Sequence, residues 1–114
     1  MTYKLFLDDI RTVGMVYKDL TDHDFVIVRN FKDFKATLLT KGLPDFISFD
    51  NDLGLDDNGE VAPDGYDCAK WLVYESGLDL TNLKFKVHSA NPVASKQIQS
   101  LLDNYISHVR SGRQ

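Results

Sequence analysis

The sequence predicts a single three-layer α/β domain built on a mostly parallel sheet of four or five strands. Three observations lead there. Apolar runs at residues 3–8, 24–29, 45–50 and 84–88 read as strands. A helical or cappable segment follows each run, so strand and helix alternate four times. Parallel neighbours need such crossovers, and crossovers in turn imply parallel pairing. A chain of 114 residues suits one domain and can bury a core without disulfides. The domain is expected to cover residues 1–110, with 111–114 as a frayed tail.

The elements follow in order. The first strand, YKLFLD, is apolar enough for a central position. Residues 12–21 can hold a short helix, weakened by Gly14. DFVIVR is the second strand. Asn30 then reads as an N-cap, with Phe31, Phe34, Leu38 and Leu39 on one helical face. Gly42 ends that helix and Pro44 prevents its continuation. DFISFD is the third strand. Residues 51–65 form the longest polar connection, and connections of that length often carry function. Within it, Asp56-Asp57-Asn58-Gly59 reads as a turn, because the full calcium-loop spacing is missing. A helix over 66–76 follows, capped by Asp64 or Gly65, with Trp71 packed in the core. KFKVH is the fourth strand. Asn91 and Pro92 fit the start of a long amphipathic helix over 93–108.

Composition excludes several classes. There are 17 acidic residues against 13 Lys and Arg, a net charge of −4, which argues against a duplex DNA partner. Cys68 is the sole cysteine, so an internal disulfide and a thiolate zinc site are both excluded. No apolar run has the length of a membrane span, and the first strand leaves no room for a signal peptide. The expected location is cytoplasmic.

Parallel strands point one way, and ligands bind outside their carboxyl ends. Three strands here end in polar groups: Asp8-Asp9 with Arg11 close behind, Asp50-Asn51-Asp52, and His88-Ser89 with Asn91. Clustered carboxylates repel unless a cation or a proton intervenes. Oxygen ligands suit Mg²⁺ or Mn²⁺, so Asp8, Asp9 and Asp50 are candidate metal ligands. Arg11 is the candidate clamp for a phosphate oxygen. His88 can transfer protons, or can be a half-buried histidine bonded to backbone. Ser89 and Asn91 can hold phosphate or cap the last helix. Asp67 lies beside a helix N-terminus, a favourable place for phosphate. His23 and His108 are expected on the surface.

The acids after the first and third strands resemble those of response-regulator receiver domains, in which an acidic pair binds Mg²⁺ and a third Asp accepts a phosphoryl group. The lysine that receivers carry after a fifth strand has no counterpart here. A closer resemblance is to the cyclic-phosphate processing receiver-like domain family. It is carried by LFLDDIR at residues 5–11, ISFDNDLG at 47–54, GYDCAKWL at 65–72 and HSANP at 88–92. Thr12-Val13 stands where such domains commonly have a proline after the opening arginine. The resemblance implies a receiver/flavodoxin-like fold and places Asp67, Ser89 and Asn91 in the pocket. It implies a Mg²⁺- or Mn²⁺-dependent phosphoesterase acting on a cyclic phosphate of a nucleotide or RNA end. Asp52, His88 and Arg11 would be catalytic, and Arg11, Asp67, Ser89 and Asn91 would bind phosphate. The competing expectation is a non-catalytic module that binds a nucleotide, a protein partner or a second copy of itself.

Overall fold

The computed structural model describes residues 2–112. Four strands, β1 (Lys4–Leu7), β2 (Val26–Val28), β3 (Phe46–Phe49) and β4 (Lys84–Val87), form one sheet in the order β2-β1-β3-β4. All three pairings are parallel, with Leu5 level with Val26 and Ile47, and Ile47 level with Phe85. This is the receiver/flavodoxin-like order with four strands, and its topological switch point lies between β1 and β3.

The helices are α1 (Val13–Val16), α2 (Phe31–Lys41), α3 (Gly65–Tyr74) and α4 (Pro92–Ser111). Side chains alternate across a strand. Leu5, Leu7, Ile47 and Phe49 therefore share one sheet face, where they pack with Phe34 and Leu38 of α2, Leu72 of α3 and Ile98 and Leu102 of α4. Phe6 lies on the other face, in a small cluster with Val13 and Phe25. The third layer is thus thin: residues 13–25 supply it, while the three long helices all lie opposite.

The helix expected over 12–21 is only one turn, followed by an extended Tyr17 and a 3₁₀ turn at Asp22–Asp24. Gly14 and the β-branched Val13 and Val16 make a poor helix, and so short a segment pays the full nucleation cost. Asp22 fixes the break by accepting the Val13 N–H at 2.8 Å. At the other end α4 runs to Ser111, so helix continues into the stretch expected to fray. Residues 113 and 114 lie outside the described residues.

Caps set the remaining boundaries. The side chains of Asn30, Asp64 and Asn91 accept first-turn N–H groups of α2, α3 and α4. Gly42 ends α2 with φ of 82°, a conformation that favours glycine. The 51–65 connection leaves β3 and returns to it: the Gly65 N–H donates to Asn51 O at 2.7 Å and the Tyr66 N–H to Asn51 Oδ1 at 3.1 Å. Its middle is a turn in which Asp56 Oδ1 accepts the N–H groups of Asn58 and Glu60.

A Cβ on Gly65 would collide with the Asp50 carbonyl oxygen and lie 2.9 Å from its carbon. The obstacle is backbone and cannot swing aside. Gly65→Ala is expected to cost about 3 kcal/mol in urea denaturation. Asn30→Ala, which removes one cap, is expected to cost about 1 kcal/mol.

Candidate metal centre

The register builds the site. Leu7 is level with Phe49, and Phe49 with Val87. The ladder continues one residue further, with the Asp50 N–H on Leu7 O at 2.9 Å and the His88 N–H on Phe49 O at 2.8 Å. Asp8, Asp50 and His88 therefore form a single row across β1, β3 and β4, just beyond the strand ends. Carboxylate oxygens of both acids and a ring nitrogen of His88 lie within 4.8 Å of one another.

Asp8 has no solvent exposure, and its charge is met by the protein. Oδ1 accepts the N–H groups of Ile10 at 3.0 Å and Arg11 at 2.8 Å. Oδ2 faces His88 Nε2 at 3.0 Å and Arg11 Nε at 3.4 Å. Burial alone would raise this carboxyl's pKa. The backbone donors, His88 and the Arg11 charge outweigh burial, and the pKa falls below the usual value. Arg29 steadies the turn by donating to Asp8 O at 3.0 Å and Arg11 O at 2.6 Å.

Asp50 is treated differently. It is 4% exposed, and its Oδ1 accepts the N–H of Asn51. Burial, then the negative charge of Asp8, raises its pKa to about 6. Asp8 is thus held ionised while Asp50 is poised between its two forms.

His88 lies with a buried side chain, its ring stacked on Phe6 at 4.8 Å between centroids. It reaches across β3 to Asp8 on β1. The residue beneath it on β3 is Ser48, small enough to leave room, and its Oγ lies 2.6 Å from Nδ1. Tyr17 Oη lies 2.6 Å from the same Oγ. Burial lowers the imidazole pKa more than Asp8 raises it, so the ring is neutral at neutral pH. Both ring nitrogens have side-chain partners. The alternative of a histidine bonded to backbone is replaced by this side-chain chain.

The other sequence-predicted residues lie around this row. Asp9 is half-buried and outside the cluster, its Oδ2 next to Gly54. Arg11 is one-third exposed and turned onto Asp8, with Nη1 3.5 Å from His88 O. Asp52 is exposed and accepts from Asn51 Nδ2 at 3.4 Å. Asp67 completes the capping box of α3 and pairs with Lys70 at 3.3 Å. Asn91 Oδ1 accepts the Val93 and Ala94 N–H groups, and Ser89 Oγ accepts the Asn91 N–H. The first-turn N–H groups of α3 also have protein partners: Asn51 O, Asn51 Oδ1 and Asp64 Oδ1. In this structure the N–H groups at that helix start are therefore engaged by the protein itself. His23 and His108 are exposed, Trp71 is core, and Cys68 is a buried thiol whose pKa burial drives up.

The sequence assigns no role to Ser48, Tyr17 or Arg29, and marks Asn51 only as a polar residue at the end of the third strand. Of the first three only Ser48 leaves a trace, a lone hydroxyl in an otherwise apolar strand.

Two carboxylates and an imidazole converging in a buried row form a donor set that suits a divalent cation. The fold and this row define a receiver-like α/β domain with a metal-capable acid centre at its switch point. Residues 3–104 match the family described as the cyclic-phosphate processing Receiver domain, and the chain belongs to that family. Comparison with curated proteins and with solved structures finds no significant match. Among the described residues no helix is long and apolar enough to cross a membrane.

Asp50 gives the centre a pH signature. Its proton is held more tightly in the folded chain, with a pKa of about 6, than at the ordinary value of 3.8. Its contribution to stability is complete below about pH 4 and is lost as pH rises through about 6. Asp50→Asn removes that loss. The variant is expected to gain on the order of 2 kcal/mol over the wild type between pH 4 and pH 7, measured by denaturant titration at each pH.

Proposed function

We propose that the domain is a phosphoesterase that uses Mg²⁺ or Mn²⁺ to open a cyclic phosphate on a nucleotide or RNA end. The observation that carries this reading is the buried row of Asp8, Asp50 and His88. Asp8 and Asp50 would hold the cation, with the His88 ring nitrogen as a third donor and Asp9 beside them. When bound, the cation supplies charge for a phosphoryl oxygen and a more acidic water.

The chain's own groups do the rest. Arg11, part exposed beside Asp8, steadies a phosphate oxygen. Asp52, exposed two residues beyond Asp50, would take a proton from attacking water. The water oxygen forms a new bond to phosphorus, one ring P–O bond breaks, and the leaving ribose oxygen takes up a proton from solvent as Asp52 returns to solvent the one it took from water. His88 acts on the acid row, with its ring fixed. Ser89 and Asn91, at the end of β4, and Asp67, at the start of α3, would form the rim on the phosphate side.

Turnover of a 2′,3′-cyclic mononucleotide with Mn²⁺ tests the reading. A phosphomonoester product is expected, abolished by chelator. Asp8→Asn and Asp50→Asn are each expected to reduce the rate roughly 100-fold or more. Hydrolysis that survives chelator, or survives asparagine at both positions, overturns the metal mechanism.

A second reading is a non-catalytic module that binds a nucleotide, a protein or its own copy. One observation favours it: Asp8, Arg11 and His88 already satisfy one another. Incubation with Mg²⁺ and acetyl phosphate separates the readings, because a stable gain of one phosphoryl group on Asp50 would support signalling over turnover.

A further inference from the structure

Ser48 is fully buried, and both of its side-chain partners come from other elements. Tyr17 Oη, Ser48 Oγ, the His88 ring and Asp8 Oδ2 form one unbranched chain, with successive distances of 2.6, 2.6 and 3.0 Å. It runs from a half-buried phenol, across the thin face of the sheet, into the acid row.

A neutral imidazole has one N–H, so this chain has two self-consistent polarities. In the first, Nε2–H donates to Asp8, Ser48 donates into Nδ1, and Tyr17 donates to Ser48. In the second, Nδ1–H donates to Ser48, Ser48 donates to Tyr17, and Nε2 presents a lone pair. Passing between them turns two hydroxyl rotors and transfers the ring proton from Nε2 to Nδ1. The proton count on each group is unchanged, and no ring needs to move.

We infer that Ser48, backed by Tyr17, is a positioning residue whose hydroxyl, able to donate or accept, lets His88 keep one ring orientation both as donor to Asp8 and as nitrogen ligand for a divalent cation. An alanine at 48 offers neither role. A larger apolar residue would fill the space in which the ring crosses β3. The second polarity rests on the metal-site reading above; the first belongs to the chain alone.

Nitrogen-15 shifts of His88 in the full chain, recorded with and without Zn²⁺, a diamagnetic cation that accepts imidazole, read the tautomer directly. The Nε2–H form is expected without cation and the Nδ1–H form at saturating Zn²⁺. By calorimetry, Ser48→Ala is expected to weaken Mn²⁺ binding about 10-fold, with a smaller loss in Tyr17→Phe. Tyr17→Phe keeps the ring that stacks on Phe25, so it guards against a folding defect in the first variant. The Nδ1–H form in cation-free wild type overturns the inference, as does unchanged affinity in both variants. A wild type that binds no cation overturns the metal reading and the second polarity. An Nε2–H signal in the cation-free wild type that gives way to mixed tautomers in cation-free Ser48→Ala would then still uphold the hold of Ser48 on the ring.

Discussion

Two carboxylates buried side by side at the ends of adjacent strands are the constraint on which the rest of the structure turns. Left alone, Asp8 and Asp50 would repel across a dry gap. The protein resolves this unequally. Asp8 receives two backbone N–H groups, His88 and Arg11, and stays ionised. Asp50 has a backbone donor within its own strand end, and burial, with the repulsion of Asp8 added to it, raises its pKa. One acid is made a fixed charge so that the other can be responsive. Arg29, just beyond the end of β2, secures the arrangement by holding the turn that supplies the Asp8 donors.

The asymmetry of the layers serves the same end. Three long helices pack on one face and bury Leu5, Leu7, Ile47 and Phe49. The acid row and His88 alternate to the opposite face, over Phe6 and Ser48. Among the described residues that side is covered by a short helix and a turn, so polar groups reach the sheet without crossing a helical layer. Rigid strand ends then fix the row to the precision of the ladder, which loops seldom provide.

How far the sequence discloses this depends on the range of each interaction. Strands, crossovers and the acids at their ends are local features, and Asp8, Asp50 and His88 could be placed on one edge from order alone. The pairing of His88 with Asp8 spans 80 residues and passes over an intervening strand, so no local pattern encodes it. Ser48 was hidden because one hydroxyl in a strand reads equally well as a solvent-facing position. Asp67 and Asn91 were ambiguous for a chemical reason: groups that satisfy helix N–H donors also suit a phosphate-binding rim, and only coordinates show their present partners. The one-turn helix at 13–16 fell short of expectation because Val13, Val16, Tyr17 and Leu20 pack on the sheet without needing a continuous helix.

The closure between Asn51 and Gly65 reaches beyond local packing. Because the chain returns to the same point on β3 that it left, residues 52–64 form an excursion pinned at its root. The cost of closing such a loop grows only slowly with its length. Leu53 anchors the start of the excursion in the core, and the Asp9 carboxylate lies next to Gly54. Residues 55–61 beyond that anchor are exposed, so their length and sequence can change at little cost to the acid row beneath them.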